Sequence, residues 1–74
     1  MLKAVAKTKV RGYRVMLGKT QQEMADLFNI SKQSYSAKER GVTRFSEDEM
    51  ITLKEMLQGL FPGITIDEIF LVKK

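Results

Sequence analysis

From Ser31 to Arg40 the chain reads SKQSYSAKER, a stretch dominated by side chains that donate or accept hydrogen bonds. Tyr35 and Ala37 are its only apolar members; Lys32, Gln33, Ser34, Ser36, Lys38 and Arg40 remain for a polar partner. Glutamine can pair bidentately with the edge of adenine, lysine can donate to guanine O6 and N7, and the major groove of B-DNA admits a helix. Catalysis has no comparable set of residues. The chain contains no histidine and no cysteine, so the usual general base, the thiol nucleophile and the common zinc ligands are all missing. It has no glycine-rich phosphate loop and no serine in a nucleophile context. The acids Glu47, Asp48 and Glu49 follow Ser46 and suit the first turn of a capped helix. The expectation is a protein that is not an enzyme and that takes no cofactor and no metal.

Two short helices must position that polar stretch. Thr20 and Glu23 have the spacing of a capping box, and Met24, Leu27 and Phe28 follow at the i, i+3, i+4 spacing of one helical face. The pattern breaks at Asn29-Ile30, where asparagine tolerates the left-handed conformation that stops a helix. Ser31 caps the next helix, Lys32 to Arg40, and Gly41 ends it. Two helices joined by a tight turn, the second largely polar, read as a helix-turn-helix.

This arrangement resembles the helix-turn-helix of the lambda-type phage repressor and Cro family, also called the Xre family, over about residues 9 to 60. Thr20-Gln21 looks like the family's helix start. Ala25 fills the small slot where the helices cross, Ile30 the apolar slot of the turn, and Glu39-Arg40-Gly41 matches the closing Glu-Arg-Gly. Two positions depart from the pattern. Asn29 replaces the turn glycine, and Lys38 stands where an aromatic or aliphatic residue is usual, so its stem is expected to cover the core edge while its ammonium reaches water. The resemblance implies an all-α fold, a compact bundle of about five short helices, and sequence-specific binding to a double-stranded DNA operator. The expected base contacts are Lys32, Gln33 and Ala37, and the expected phosphate contacts are Gln21, Ser31, Ser34, Arg40, Thr43 and Arg44. Arg14 and Glu39 match positions that pair across the core edge in the family. Tyr35 falls in a buried apolar slot and reads as core.

Charge is distributed accordingly. Residues 1–44 hold 10 Lys/Arg and 3 Asp/Glu, a net of +7, whereas residues 45–74 hold 3 Lys/Arg and 6 Asp/Glu, a net of −3. Such asymmetry is the footprint of a polyanion partner on one half. The chain reads as one domain, residues 1–74, with no apolar run near the ~20 residues of a membrane span and no secretory signal. Those features suggest a cytoplasmic, nucleoid-associated protein, bacterial or phage-encoded.

Around the motif, Leu2 to Ala6 alternates like an extended arm, and Thr8 offers a cap for a first helix ending near Leu17-Gly18 with Val10, Tyr13 and Leu17 inside. Phe45 should plug the core ahead of the Ser46 cap. Met50, Leu53, Leu57, Leu60 and Phe61 repeat at helical spacing until Pro62-Gly63. Thr65 and Glu68 form a further capping box, followed by the apolar tail Ile66, Ile69, Phe70, Leu71 and Val72. That tail, with Met56 and Leu60, suggests a homodimer through the C-terminal region. The competing function class is a protein-interaction module, such as an antirepressor, that uses the same fold without binding DNA. The +7 half weighs against it. RNA binding is weaker still, for want of exposed aromatics that stack on bases.

Overall fold

Local capping sets where the chain turns helical. The computed structural model describes residues 9–70, in which five helices follow one another: α1 (Val10–Met16), α2 (Gln21–Phe28), α3 (Lys32–Glu39), α4 (Glu47–Gln58) and α5 (Ile66–Phe70). No strand occurs among the described residues. At Ser46 the hydroxyl accepts from the Glu49 N–H at 3.1 Å while the Ser46 N–H donates to the Glu49 carboxylate at 2.8 Å. Thr65 and Glu68 repeat the exchange at 3.3 and 3.0 Å ahead of α5. Each box satisfies two of the donors that a helix start leaves without intrahelical partners.

α1 starts differently from the expectation. Its N-cap is Lys9, which makes no side-chain cap, and Thr8 lies outside the described residues, as do the Leu2–Ala6 arm, Leu71 and Val72. The Lys9 N–H instead donates to the Ile69 carbonyl at 3.1 Å, so the start of α1 is tied to α5. α1 is closed by its C-cap Leu17, and Gly18 turns the chain at φ 74°. Among the described residues, no atom lies within 4 Å of where a Cβ on Gly12 would sit.

The core is built from every helix. Val10, Met24, Ala25, Tyr35, Leu53, Leu57 and Ile69 are fully buried, and Phe45, Ile64 and Phe70 nearly so. Phe45, in the loop before α4, touches three rings: Phe70 at 5.1 Å between centroids, Tyr35 at 6.1 Å and Phe28 at 6.5 Å. Aromatic edges and faces attract beyond their area, so Phe45 ties its loop to α2, α3 and α5 at once.

Three apolar expectations are corrected. Leu27 is 48% exposed, because the inner face of α2 is completed by Met24, Ala25 and Phe28. α4 ends at Gln58, earlier than the apolar spacing suggests, and beyond it Leu60 and Phe61 are 50% and 38% exposed. Phe61 still packs edge-on to Tyr13 at 5.8 Å. Conversely, Ile69 and Phe70 of the tail turn into the core of their own chain and Ile66 packs against it. The described part of the tail therefore packs within its own chain.

Candidate nucleic-acid interface

The turn between α2 and α3 is set by single residues. Thr20 and Glu23 exchange their capping hydrogen bonds at 3.1 and 2.8 Å. Asn29 takes the left-handed conformation, φ 60° and ψ 43°, and the Ile30 N–H closes back on the Ala25 carbonyl at 3.0 Å. The Ser31 hydroxyl accepts from the Ser34 N–H and donates to the Ser34 hydroxyl, both at 3.0 Å. Gly41 leaves α3 at φ 84°. The Asn29–Ile30–Ser31 turn thus orients α3 relative to α2, while the Thr20–Glu23 box and Gly41 fix the outer ends of the two helices.

A buried carboxylate completes the orientation. Glu39, its side chain 4% exposed, accepts from Arg14 Nε at 2.7 Å and from the Tyr35 hydroxyl at 2.8 Å on one oxygen. The other oxygen accepts from Gln21 Nε2 at 2.9 Å and from Arg14 Nη2 at 3.3 Å. Arg14 Nη1 donates to the Lys19 carbonyl at 2.8 Å, which fastens the α1–α2 link. Burial alone would raise the Glu39 carboxyl, but the hydrogen bonds from Arg14, Gln21 and Tyr35 outweigh it and hold the group below its ordinary value. The Tyr35 hydroxyl is pushed up, first by burial and then by its bond to Glu39, and stays protonated.

Above this network opens a cleft of about 540 Å³, with Gln21 and Glu39 among its lining and Arg11, Lys19, Lys32 and Arg40 contributing cations. Four cations around a concave surface at the start of a helix make a seat for an anion, and the helix dipole adds to it. The structure therefore brings Gln21, Lys32 and Arg40 together with Arg14 and Glu39. Arg40 also donates weakly from Nε to the Ser36 hydroxyl at 3.3 Å. Gln33 is exposed on the first turn of α3, and Ala37, one turn on along the same face, is half-buried. Thr43 and Arg44 are exposed in the loop after α3 and do not line the cleft. Ser31 is committed to its cap as both acceptor and donor, so the free hydroxyl proton there belongs to Ser34. Lys38 differs from the expectation: its partly exposed ammonium meets the Glu49 carboxylate at 2.7 Å, linking α3 to α4.

A family model described as helix-turn-helix matches residues 10–58, about two thirds of the chain. The chain belongs to the lambda repressor-like, or Xre, helix-turn-helix family. This is a family of DNA-binding regulators and typically not of enzymes. No significant match was found among curated proteins or among solved structures. Among the described residues, no group of three or more His, Cys, Asp or Glu is placed to hold a metal, and no helix is long and apolar enough to cross a membrane.

Sequence reasoning missed Arg11 and Lys19 as members of the cleft. Arg11 lies three residues before Arg14 on α1, and the helical i, i+3 spacing of two arginines is the signal that points to it. Lys19 is read from the sequence only as part of a link, and it joins the site because Arg14 holds its carbonyl.

Proposed function

We propose that this helix-turn-helix protein is a sequence-specific transcriptional regulator of phage repressor or Cro type, with α3 in the major groove of a DNA operator. The observation that carries the reading is the cationic cleft at the start of α2, set beside the exposed first turn of α3. A backbone phosphate in the cleft would dock the duplex with that first turn facing base edges. Gln33 and Ala37 then read bases. Lys32, which lines the cleft, is the residue that links the two roles, and its side chain can serve either a base or the adjoining phosphate. Arg40 joins the phosphate contact in the cleft, and Ser34, Thr43 and Arg44, which do not line it, hold the backbone elsewhere along the groove.

We also propose that the regulator acts as a homodimer on a near-palindromic site, its two α3 helices about one DNA turn, ~34 Å, apart. With Ile69 and Phe70 buried in their own core, the large exposed apolar residues near the C-terminal end of the described residues are Leu60 and Phe61, the latter beside Tyr13. A second copy of the chain covers them in this reading. Sedimentation at micromolar concentration checks the pairing, and a monomer that protects a single half-site defeats it.

Selection of bound duplexes from a random pool tests the function and yields the site. On that site Gln33→Ala should cost ~1–3 kcal/mol and relax preference at one base pair. Arg44→Ala should weaken all duplexes alike and reduce the salt slope by ~1. Equal losses from both variants on specific and random DNA refute base readout by Gln33. Failure to bind any duplex at low salt would favour the protein-interaction module instead.

A further inference from the structure

We propose that Glu39 is a positioning residue for DNA binding: its buried carboxylate holds the Gln21 amide with the nitrogen inward and so decides which group Gln21 offers to a phosphate in the cleft. The inference rests on the reading of that cleft as a phosphate seat. The two ends of a glutamine amide are nearly alike in shape, and only their partners decide which way round they sit. Here Gln21 Nε2 lies 2.9 Å from Glu39 Oε1. An ionised carboxylate only accepts, so the reversed amide would set two acceptor oxygens against each other. One N–H is therefore taken by Glu39, and the second remains on the same nitrogen, at the lining of the cleft.

The carboxylate makes a firm template because it cannot swing. Arg14 Nε at 2.7 Å and the Tyr35 hydroxyl at 2.8 Å hold its other oxygen, and the side chain is almost wholly buried. Arg14 also neutralises it, so a phosphate approaching Gln21 meets the cations Arg11, Lys19, Lys32 and Arg40 and not a bare negative charge. The Arg14–Glu39 pair thus serves the interface as well as the fold. Arg14 does so twice, since it also fastens the Lys19 backbone beside the same cleft.

The native protein gives the first test. In its 15N–1H spectrum the two side-chain amide protons of Gln21 should be widely separated, with the one held by Glu39 shifted downfield and slow to exchange. Adding the selected duplex should move the other. A nearly degenerate, freely exchanging pair, or a duplex that moves the proton held by Glu39, overturns the proposal whatever any variant does. A mutant cycle on DNA affinity supplies the second test, at a salt concentration and temperature where circular dichroism shows each variant folded. Gln21→Ala should weaken binding about tenfold or more, as expected for a hydrogen bond to a charged group. Glu39→Gln should weaken it by a similar factor, and the double variant should be no weaker than either. If the two factors multiply, Glu39 does not act through Gln21 and the proposal fails. Should Glu39→Gln not fold, the spectrum of the native protein decides. The cleft reading is tested separately by Lys19→Gln and Lys32→Gln: an unchanged salt slope in both would mean that no phosphate enters the cleft.

Discussion

Two ion pairs leave α3 from neighbouring residues in different directions. Glu39 points to Arg14 on α1 and Lys38 to Glu49 on α4, each closing at 2.7 Å. Their surroundings differ. The Arg14–Glu39 side chains are 12% and 4% exposed and share a network with Gln21 and Tyr35. The Lys38–Glu49 side chains are 17% and 13% exposed, and the same Glu49 oxygen also accepts from the Ser46 N–H. An equal distance therefore does not mean an equal contribution. In the inner pair each charge depends on the other for its burial, whereas in the outer pair either charge retains a wet or capping alternative.

The largest effect should come from stranding an inner charge. Arg14→Met should destabilise the protein by ~3–5 kcal/mol in urea unfolding, because Glu39 stays buried without its cation. Adding Glu39→Gln should recover part of that loss; strictly additive losses would show the pair to be uncoupled. Tyr35→Phe removes one hydrogen bond to the same carboxylate and should cost ~1.5–3 kcal/mol, with the ring packing retained.

Acid should separate the pairs next. Hydrogen bonds, outweighing burial, hold the Glu39 and Glu49 carboxyls below the ordinary 4.5 in the folded protein. A group lowered on folding contributes stability that is fully present above its unfolded value and is lost as pH falls through its folded value. Stability should therefore fall on acidification below about pH 4.5. Glu39→Gln should flatten that fall more than Glu49→Gln, as pH-dependent thermal melts would show. The smallest change belongs to Lys38→Met, at ~1 kcal/mol or less, since its methylene stem is replaced in kind and the pair is partly wet. In 1 M salt this difference should shrink while that of Arg14→Met persists. A Lys38→Met cost equal to that of Arg14→Met would dissolve the contrast between the pairs.

The same contrast shows what a sequence carries on its surface. Capping at Thr20, Ser31, Ser46 and Thr65 is legible because donor and acceptor lie within three residues of each other. Asn29 and Gly41 are legible because their conformations exclude most other residues. Glu39 and Tyr35 could be placed inward from the family pattern. Lys38–Glu49 could not, since the pairing depends on how the loop of residues 40–46 brings α4 alongside α3. Helical spacing likewise identifies a face without giving the width of its buried stripe, so Leu27, Leu60 and Phe61 are more exposed than their spacing suggests. Of the site, the polar face of α3 was legible, and the cleft was not, because Arg11 and Lys19 reach it from outside the motif.

The aromatic cluster has a consequence for how the protein comes into being. The family match ends at residue 58, but Ile64, Ile69 and Phe70 belong to the core, and Phe70 lies against Phe45 at 5.1 Å. A chain emerging from the ribosome presents the whole helix-turn-helix before it presents those residues. During that interval Phe45 lacks its contact with Phe70, and the Lys9 N–H at the start of α1 lacks the Ile69 carbonyl. Synthesis runs at ~5–20 residues per second, so residues 59–70 follow the motif within about a second or two. The packing around Phe45 is therefore completed only after Phe70 has been made, later than the helices of the motif themselves.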